Sequence, residues 1–223
     1  MNLNRVRTVD NQVAIKTALI SVADKTGLAE FARGLAELCP GIRVYSTGGT
    51  YAELEKILDS GCLFPVSEYT GQAEMQGGLV KTLDYRIYLG LLSETHNPAH
   101  QEDLQRAQAR AFDLVAVNLY PFREASSAAG ATAEDARTHI DIGGPCMLRA
   151  AAKNFLRVVA VCRPADYSAV LEELKATGGR TGLVTRWELA QKVFRHTADY
   201  DAAIAEHFAR LSDEQVASNY DLK

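Results

Sequence analysis

Residues 139–155, HIDIGGPCMLRAAAKNF, set a carboxylate and an amine at opposite ends of a segment of small residues. Asp141 lies between two isoleucines and runs into Gly143, Gly144 and Pro145, and Lys153 follows a run of three alanines. A carboxylate can take a proton from a weak nitrogen nucleophile, and an ammonium can give one to a departing oxygen. Pro145 suits the first turn of a helix, and the glycines allow the chain to turn sharply before it. Asp141 is then held near the amide end of that helix, where an anion is stabilised. Lys153 lies about 12 Å along the axis from Pro145, at ~1.5 Å per residue. The two groups meet only if the helix is short or bent, or if Asp141 folds back over it.

Four other polar clusters have a related character. ADKTG (23–27) offers Lys25, Thr26 and helix-start amides to a phosphate, or is an ordinary cap with a solvated lysine. STGGT (46–50) has two glycines through which backbone amides approach an anion, or is a glycine turn with a threonine cap. It is not a Walker loop, because GxxxxGK[ST] is absent. GGLVKTLDYRIY (77–88) carries Lys81 and Thr82, with Arg86 within reach. VNLYPF (117–122) ends an apolar run with Asn118 and Tyr120, polar groups that need partners if buried; Tyr120 reads equally as a core aromatic. Hydroxyls and lysines dominate, acids are few, and the pattern suits a small anionic ligand such as a phosphate ester.

The elements that must position these clusters alternate. AIKTALISV (14–22), IRVYS (42–46), DLVAVNLY (113–120) and LRVVAVC (156–162) read as strands, several of them apolar on both faces. LAEFARGLAEL (28–38) and TYAELEKILDS read as helices, as do 133–138, 145–154, 166–176 and 183–211. This order predicts an α/β fold with a mostly parallel sheet and helices on both faces, whose ligands bind beyond the carboxyl ends of the strands. A single domain over 1–223 is expected, with a core over about 12–165 and a C-terminal helical extension over about 166–223. The chain has 223 residues and 47% hydrophobic content, enough for a core. Its net charge of −4 argues against non-specific binding to nucleic acid or anionic membrane. No apolar run reaches the ~18 residues of a membrane span, and the N-terminus lacks the apolar stretch of a signal peptide. Cys39, Cys62, Cys146 and Cys162 are scattered, which predicts free thiols in a cytoplasmic protein and no metal site.

SVADKTG, YSTGGT, VSEYTG with EMQGGLVKTL, VNLYPF, IDIGGPCMLRAAAKN and FRHTADYD occur in this order over roughly residues 15 to 208. Together they resemble the motifs of IMP cyclohydrolase, the N-terminal half of the bifunctional purine-biosynthesis protein. The resemblance implies a methylglyoxal-synthase-like fold, a homodimer, no cofactor, and closure of 5-formamidoimidazole-4-carboxamide ribotide to inosine monophosphate. It does not extend to the formyltransferase half. A stand-alone cyclohydrolase is therefore expected, its formylated substrate coming from a separate protein. Carried over residue by residue, it places phosphate and ribose contacts on Asp24, Lys25, Thr26, Thr47, Gly48, Gly49 and Thr50. Val80, Thr82, Val117, Asn118 and Ile142 complete the binding set. Lys81, Tyr120, Asp141 and Lys153 are implied to carry the chemistry, with Asp141 taking the carboxamide proton, Lys153 first and Lys81 second as proton donor, and Tyr120 donating to the developing alkoxide.

The pattern departs from the family at Ala23, where a serine is usual, at Leu79, where an arginine is usual, and in the segment with Asp84, Tyr85 and Tyr88. All three lie at the phosphate end, where Arg86 is a candidate replacement for the missing guanidinium. The alternative is a non-catalytic nucleotide- or phosphate-binding regulatory module on the same scaffold. His196 reads as a structural or interface histidine and Trp187 as packing.

Overall fold

The computed structural model describes residues 5–72 and 80–223. Gly77, Gly78 and Leu79, singled out above, lie outside the described residues.

The single strand expected at 14–22 is interrupted at Ile15 and Lys16. β1 (Gln12–Ala14) leaves the main sheet, and β2 (Thr17–Val22) enters it. Then follow α1 (Leu28–Leu38), β3 (Arg43–Ser46), α2 (Gly48–Leu54), β4 (Leu63–Pro65), α3 (Val66–Thr70), α4 (Tyr85–Leu92), α5 (Pro98–Arg106) and β5 (Leu114–Asn118). The second half comprises α6 (Phe122–Ser126), α7 (Ala133–Thr138), α8 (Gly143–Lys153), β6 (Val159–Val161), a 3-10 turn (Pro164–Asp166), α9 (Tyr167–Thr177), β7 (Arg180–Gly182), α10 (Leu183–Phe208) and α11 (Asp213–Ala217).

Five strands form a wholly parallel sheet in the order β4-β3-β2-β5-β6. Side chains alternate across it, as the pleat requires. Leu19, Val115, Val117 and Ala160 face a layer built from α4, α8 and α10. Ala18, Ile20, Val22, Leu114 and Ala116 face α1 and α9. Both faces are covered, which is why these strands read as unbroken hydrophobic runs. The expected α/β architecture, mostly parallel with helices on both sides, is the one observed. No helix among the described residues is long and apolar enough to cross a membrane.

Within residues 166–223, α9 and α10 are built into this sandwich, while α11 buries no residue. Ala190, Val193, Tyr200 and Ala203 of α10 belong to the same buried cluster as Met147 and Leu148 of α8. β7 pairs antiparallel with β1. Arg186, with 0% exposure, fastens the junction. Its guanidinium donates to the carbonyls of Asp10 (2.8 Å), Phe155 (2.9 Å), Leu156 (3.1 Å) and Thr181. A buried arginine is tolerable only with its donors satisfied in this way.

From β2 the chain winds outward through β3 to β4, then returns to the other side of β2 to lay down β5 and β6. The winding direction thus reverses between β2 and β5. At such a switch point the loops leaving adjacent strands part in opposite directions and open a crevice at the carboxyl ends.

Candidate active site

A cavity of about 840 Å³ lies at that switch point. Its rim begins with the loop after β2. Asp24 and Lys25 line it, but Thr26 does not. The Asp24 carboxylate accepts from the Thr26 amide (2.9 Å), and Gly27, at φ 69°, then directs the chain into α1. That turn leaves Thr26 at the exposed tip, outside the expected site. The same hydrogen bonds from Thr26 hold the Asp24 carboxyl below the usual aspartate range.

Thr47, which joins β3 to α2, and Gly48, Gly49 and Thr50 in the first turn of α2 form the next part of the rim. Gly48 has φ 41°, a conformation side chains resist. The Thr50 hydroxyl is buried between α2 and the end of β2, donating to the Val22 carbonyl and accepting from the Val22 amide, both at 3.0 Å. It anchors the loop, while Thr47, bonded to Ser21 at 2.7 Å, faces the cavity beside the glycines.

Asn118, at the end of β5, has a role that its neighbours in sequence do not reveal. Its carbonyl oxygen accepts from the amides of Ala23 (2.6 Å) and Asp24 (2.8 Å), and its amide nitrogen donates to the Asp24 carbonyl (2.7 Å). The side chain lines the cavity and is committed through these three bonds to the β2–α1 loop, so it positions that loop. Asn118→Ala removes three bonds at once. We expect a loss of roughly 1–3 kcal/mol in stability and a raised KM for a phosphate-bearing ligand, with kcat less affected. Thermal unfolding and steady-state kinetics check both.

Val117, almost wholly buried, contributes to the floor, and the chain then passes to Tyr120. Tyr120 is 57% exposed and lines the cavity, so it is not a core aromatic. Val80, Lys81 and Thr82 also line the cavity, with Thr82 packed beside Gly143. Val80 has φ 65°, a genuine strain for a β-branched residue, of the kind that concentrates at functional sites.

Asp141 and Ile142 close the site from the start of α8. The Asp141 carboxylate accepts from the Gly144 amide (2.9 Å), and its own amide donates to the Tyr200 hydroxyl (2.8 Å) on α10. The glycines here are required by close approach. A Cβ on Gly144 would meet the Asp141 carboxylate at 2.4 Å, and one on Gly143 would meet the Thr82 hydroxyl at 2.5 Å. Burial outweighs the Gly144 hydrogen bond and holds the Asp141 carboxyl above its usual range.

Lys153 is elsewhere. α8 runs without interruption from Gly143 to Lys153, which is exposed at its far end and absent from the cavity wall. An unbroken helix cannot bring its last residue back to its first turn, so this chain does not join Asp141 to Lys153. Arg86 is likewise turned away. Asp84 caps α4, accepting from the Arg86 amide (2.8 Å), and the guanidinium donates to the Thr70 carbonyl and lies over the Tyr69 ring at 5.4 Å. It does not replace a phosphate-gripping arginine in the cavity.

Among the wall residues that the sequence did not assign to the site are an arginine it did not single out and His196, read there as a structural or interface histidine. Arg163, after β6, and His196, on α10, both line the cavity. Strand order brings Arg163 to the site from the end of β6, and the packing of α10 on α8 and β6 brings His196.

The family comparisons agree with the fold. A model of the MGS-like domain matches residues 27–146, and a model of the AICARFT/IMPCHase bienzyme matches residues 151–223. A solved structure titled "Crystal structure of ForH" is similar, at 33% identity and a TM-score of 0.74, covering 87% of this chain and 97% of that one. With the parallel sheet, the switch-point cavity and these matches together, the chain belongs to the MGS-like domain family and is an IMP cyclohydrolase-like member of it.

Proposed function

We propose that the protein acts in purine biosynthesis as an IMP cyclohydrolase, closing 5-formamidoimidazole-4-carboxamide ribotide to inosine monophosphate with loss of water. The observation that carries this reading is the meeting of Lys81, Tyr120 and Asp141 on one cavity whose rim is the hydroxyl- and glycine-rich turn Thr47–Thr50.

The carboxamide nitrogen attacks the formyl carbon, forming the new C–N bond while the carbonyl pair moves onto oxygen. Two protons leave nitrogen, one from the carboxamide and one from the formamide, and both end on that oxygen, which departs as water. Asp141, with a carboxyl made more basic by burial, takes the first proton. Tyr120 donates to the developing alkoxide. Lys81, which lines the same cavity while Lys153 does not, gives a proton to the leaving oxygen. Lys25 and the Thr47–Thr50 turn hold the phosphate.

The test is turnover of chemically prepared formylated ribotide, followed by absorbance of the closed purine. We expect Lys81→Ala to lose about 10²-fold or more in kcat and Lys153→Ala to retain wild-type turnover. No closure above the solution rate by a folded wild type that binds the nucleotide would leave a binding module instead. Equal losses in the two variants would overturn the assignment of the donor.

A further inference from the structure

Arg163 and His196 take no part in the reaction above, yet they form one end of its cavity. Arg163 is exposed, and its guanidinium enters no ion pair among the described residues. It is the arginine among the described lining residues, since Arg86 faces α3. The His196 ring carries a buried Nε2 with no hydrogen-bond partner among the described residues. Burial, then the Arg163 charge, hold this imidazole below its usual pKa, so it is neutral at neutral pH.

Their position follows from the strand order. The phosphate turn leaves β3, Tyr120 follows β5, and Arg163 follows β6. Three strand spacings separate β3 from β6, about 14 Å at ~4.8 Å each. A mononucleotide with its phosphate at Thr47–Thr50 and its ring near Tyr120 turns the ring's far edge toward β6. A planar guanidinium fork is well shaped to donate to an oxygen on that edge.

We propose that Arg163, with His196 beside it, is a specificity-determining residue that reads an oxygen acceptor on the ligand's ring, such as a carboxamide carbonyl or the carbonyl of the closed purine. The proposal deepens the reading above and rests on it for the ligand's orientation.

The experiment is calorimetric titration of inosine monophosphate and of ribose 5-phosphate into the wild type, Arg163→Ala and Arg163→Lys, with ring closure assayed in parallel. Arg163 is exposed, so its variants should melt with the wild type. Arg163→Ala should weaken inosine monophosphate by about 10- to 100-fold while leaving ribose 5-phosphate within about twofold. Arg163→Lys, which keeps the charge but loses the fork, should fall between. Equal weakening of both ligands would place Arg163 on the phosphate and overturn the proposal, as would no weakening of either. If the wild type closes no ring but its inosine monophosphate affinity depends on Arg163, the reaction assignment fails and this one stands. If the wild type closes the ring and Arg163→Ala binds as it does, the reverse holds.

Discussion

Asp141→Asn should lower the ring-closure kcat by about 10²- to 10⁴-fold, and the variant should melt no lower than the wild type. The amide keeps an oxygen to accept from the Gly144 amide, and the backbone bond to the Tyr200 hydroxyl does not involve the side chain. What disappears is the ability to take a proton. The stability half follows from the raised carboxyl. A group whose pKa rises on folding favours the fold below its unfolded pKa, and that contribution is lost as pH climbs through the folded value. At neutral pH the ionised Asp141 therefore weighs against the fold, and an uncharged amide relieves it. The wild-type profile of kcat/KM against pH should show an acid limb above the usual aspartate range, absent from the residual activity of the variant. Wild-type turnover in Asp141→Asn would remove Asp141 from the chemistry. A clear drop in melting temperature would make it chiefly a helix cap.

The largest stability effect is expected far from the cavity, at Asp113→Ala. Asp113 and Arg157 are 9% and 6% exposed and pair at 3.2 Å. The other Asp113 oxygen accepts from the amides of Lys16 (2.9 Å) and Thr17 (3.0 Å) where β2 begins. Arg157 also donates to the carbonyls of Gly90, Ser93 and Phe112. Burial raises the Asp113 pKa and lowers that of Arg157, so desolvation outweighs the attraction at each partner. Such a pair adds little net stability, but removing one member strands the other. We expect a loss of about 3–5 kcal/mol, or roughly 6–20 °C in Tm at ~2–4 °C per kcal/mol for a chain of this size. Asp113→Asn, which keeps an acceptor for the two amides, should lose less. A melting temperature for Asp113→Ala within experimental error of the wild type would show that the pair does not hold β2, β5 and α4 together.

These sites differ in how far the sequence discloses them. β2, β5 and β6 were legible because parallel strands buried on both faces must be apolar throughout. α1 matched from Leu28 to Leu38 because its apolar spacing is helical. β4 has only three residues, too few for any period to show. The break between β1 and β2 falls at Ile15 and Lys16, where the exposed lysine is the one local mark within AIKTALISV. The candidate site was legible where a motif both forms a turn and lines the cavity, as at Thr47–Thr50 and Asp141. It was not legible where a role depends on strand order. Asn118 clamps Ala23 and Asp24 across 95 and 94 residues of chain, and nothing near VNLYPF indicates that. Arg157, Arg163 and Arg186 look alike as charged residues. One is a buried counter-ion, one lines the cavity, and one is a fully buried pin. Charge alone predicts exposure for all three.

The pairing of β1 with β7, pinned by Arg186, also bears on the order of assembly. Residues 12–14 find their strand partner only at 180–182, so this contact closes most of the chain into one loop. Contacts of such separation form late, after more local pairings have offset the loss of chain entropy. On the ribosome, β2 and β3 can pair while α10 is still unmade, leaving one face of the growing sheet without part of its cover. α10 brings Tyr200, which fixes the Asp141 backbone, and His196, which forms a cavity wall. Ligand-binding competence should therefore be the last property the nascent chain acquires, after most of its secondary structure is in place.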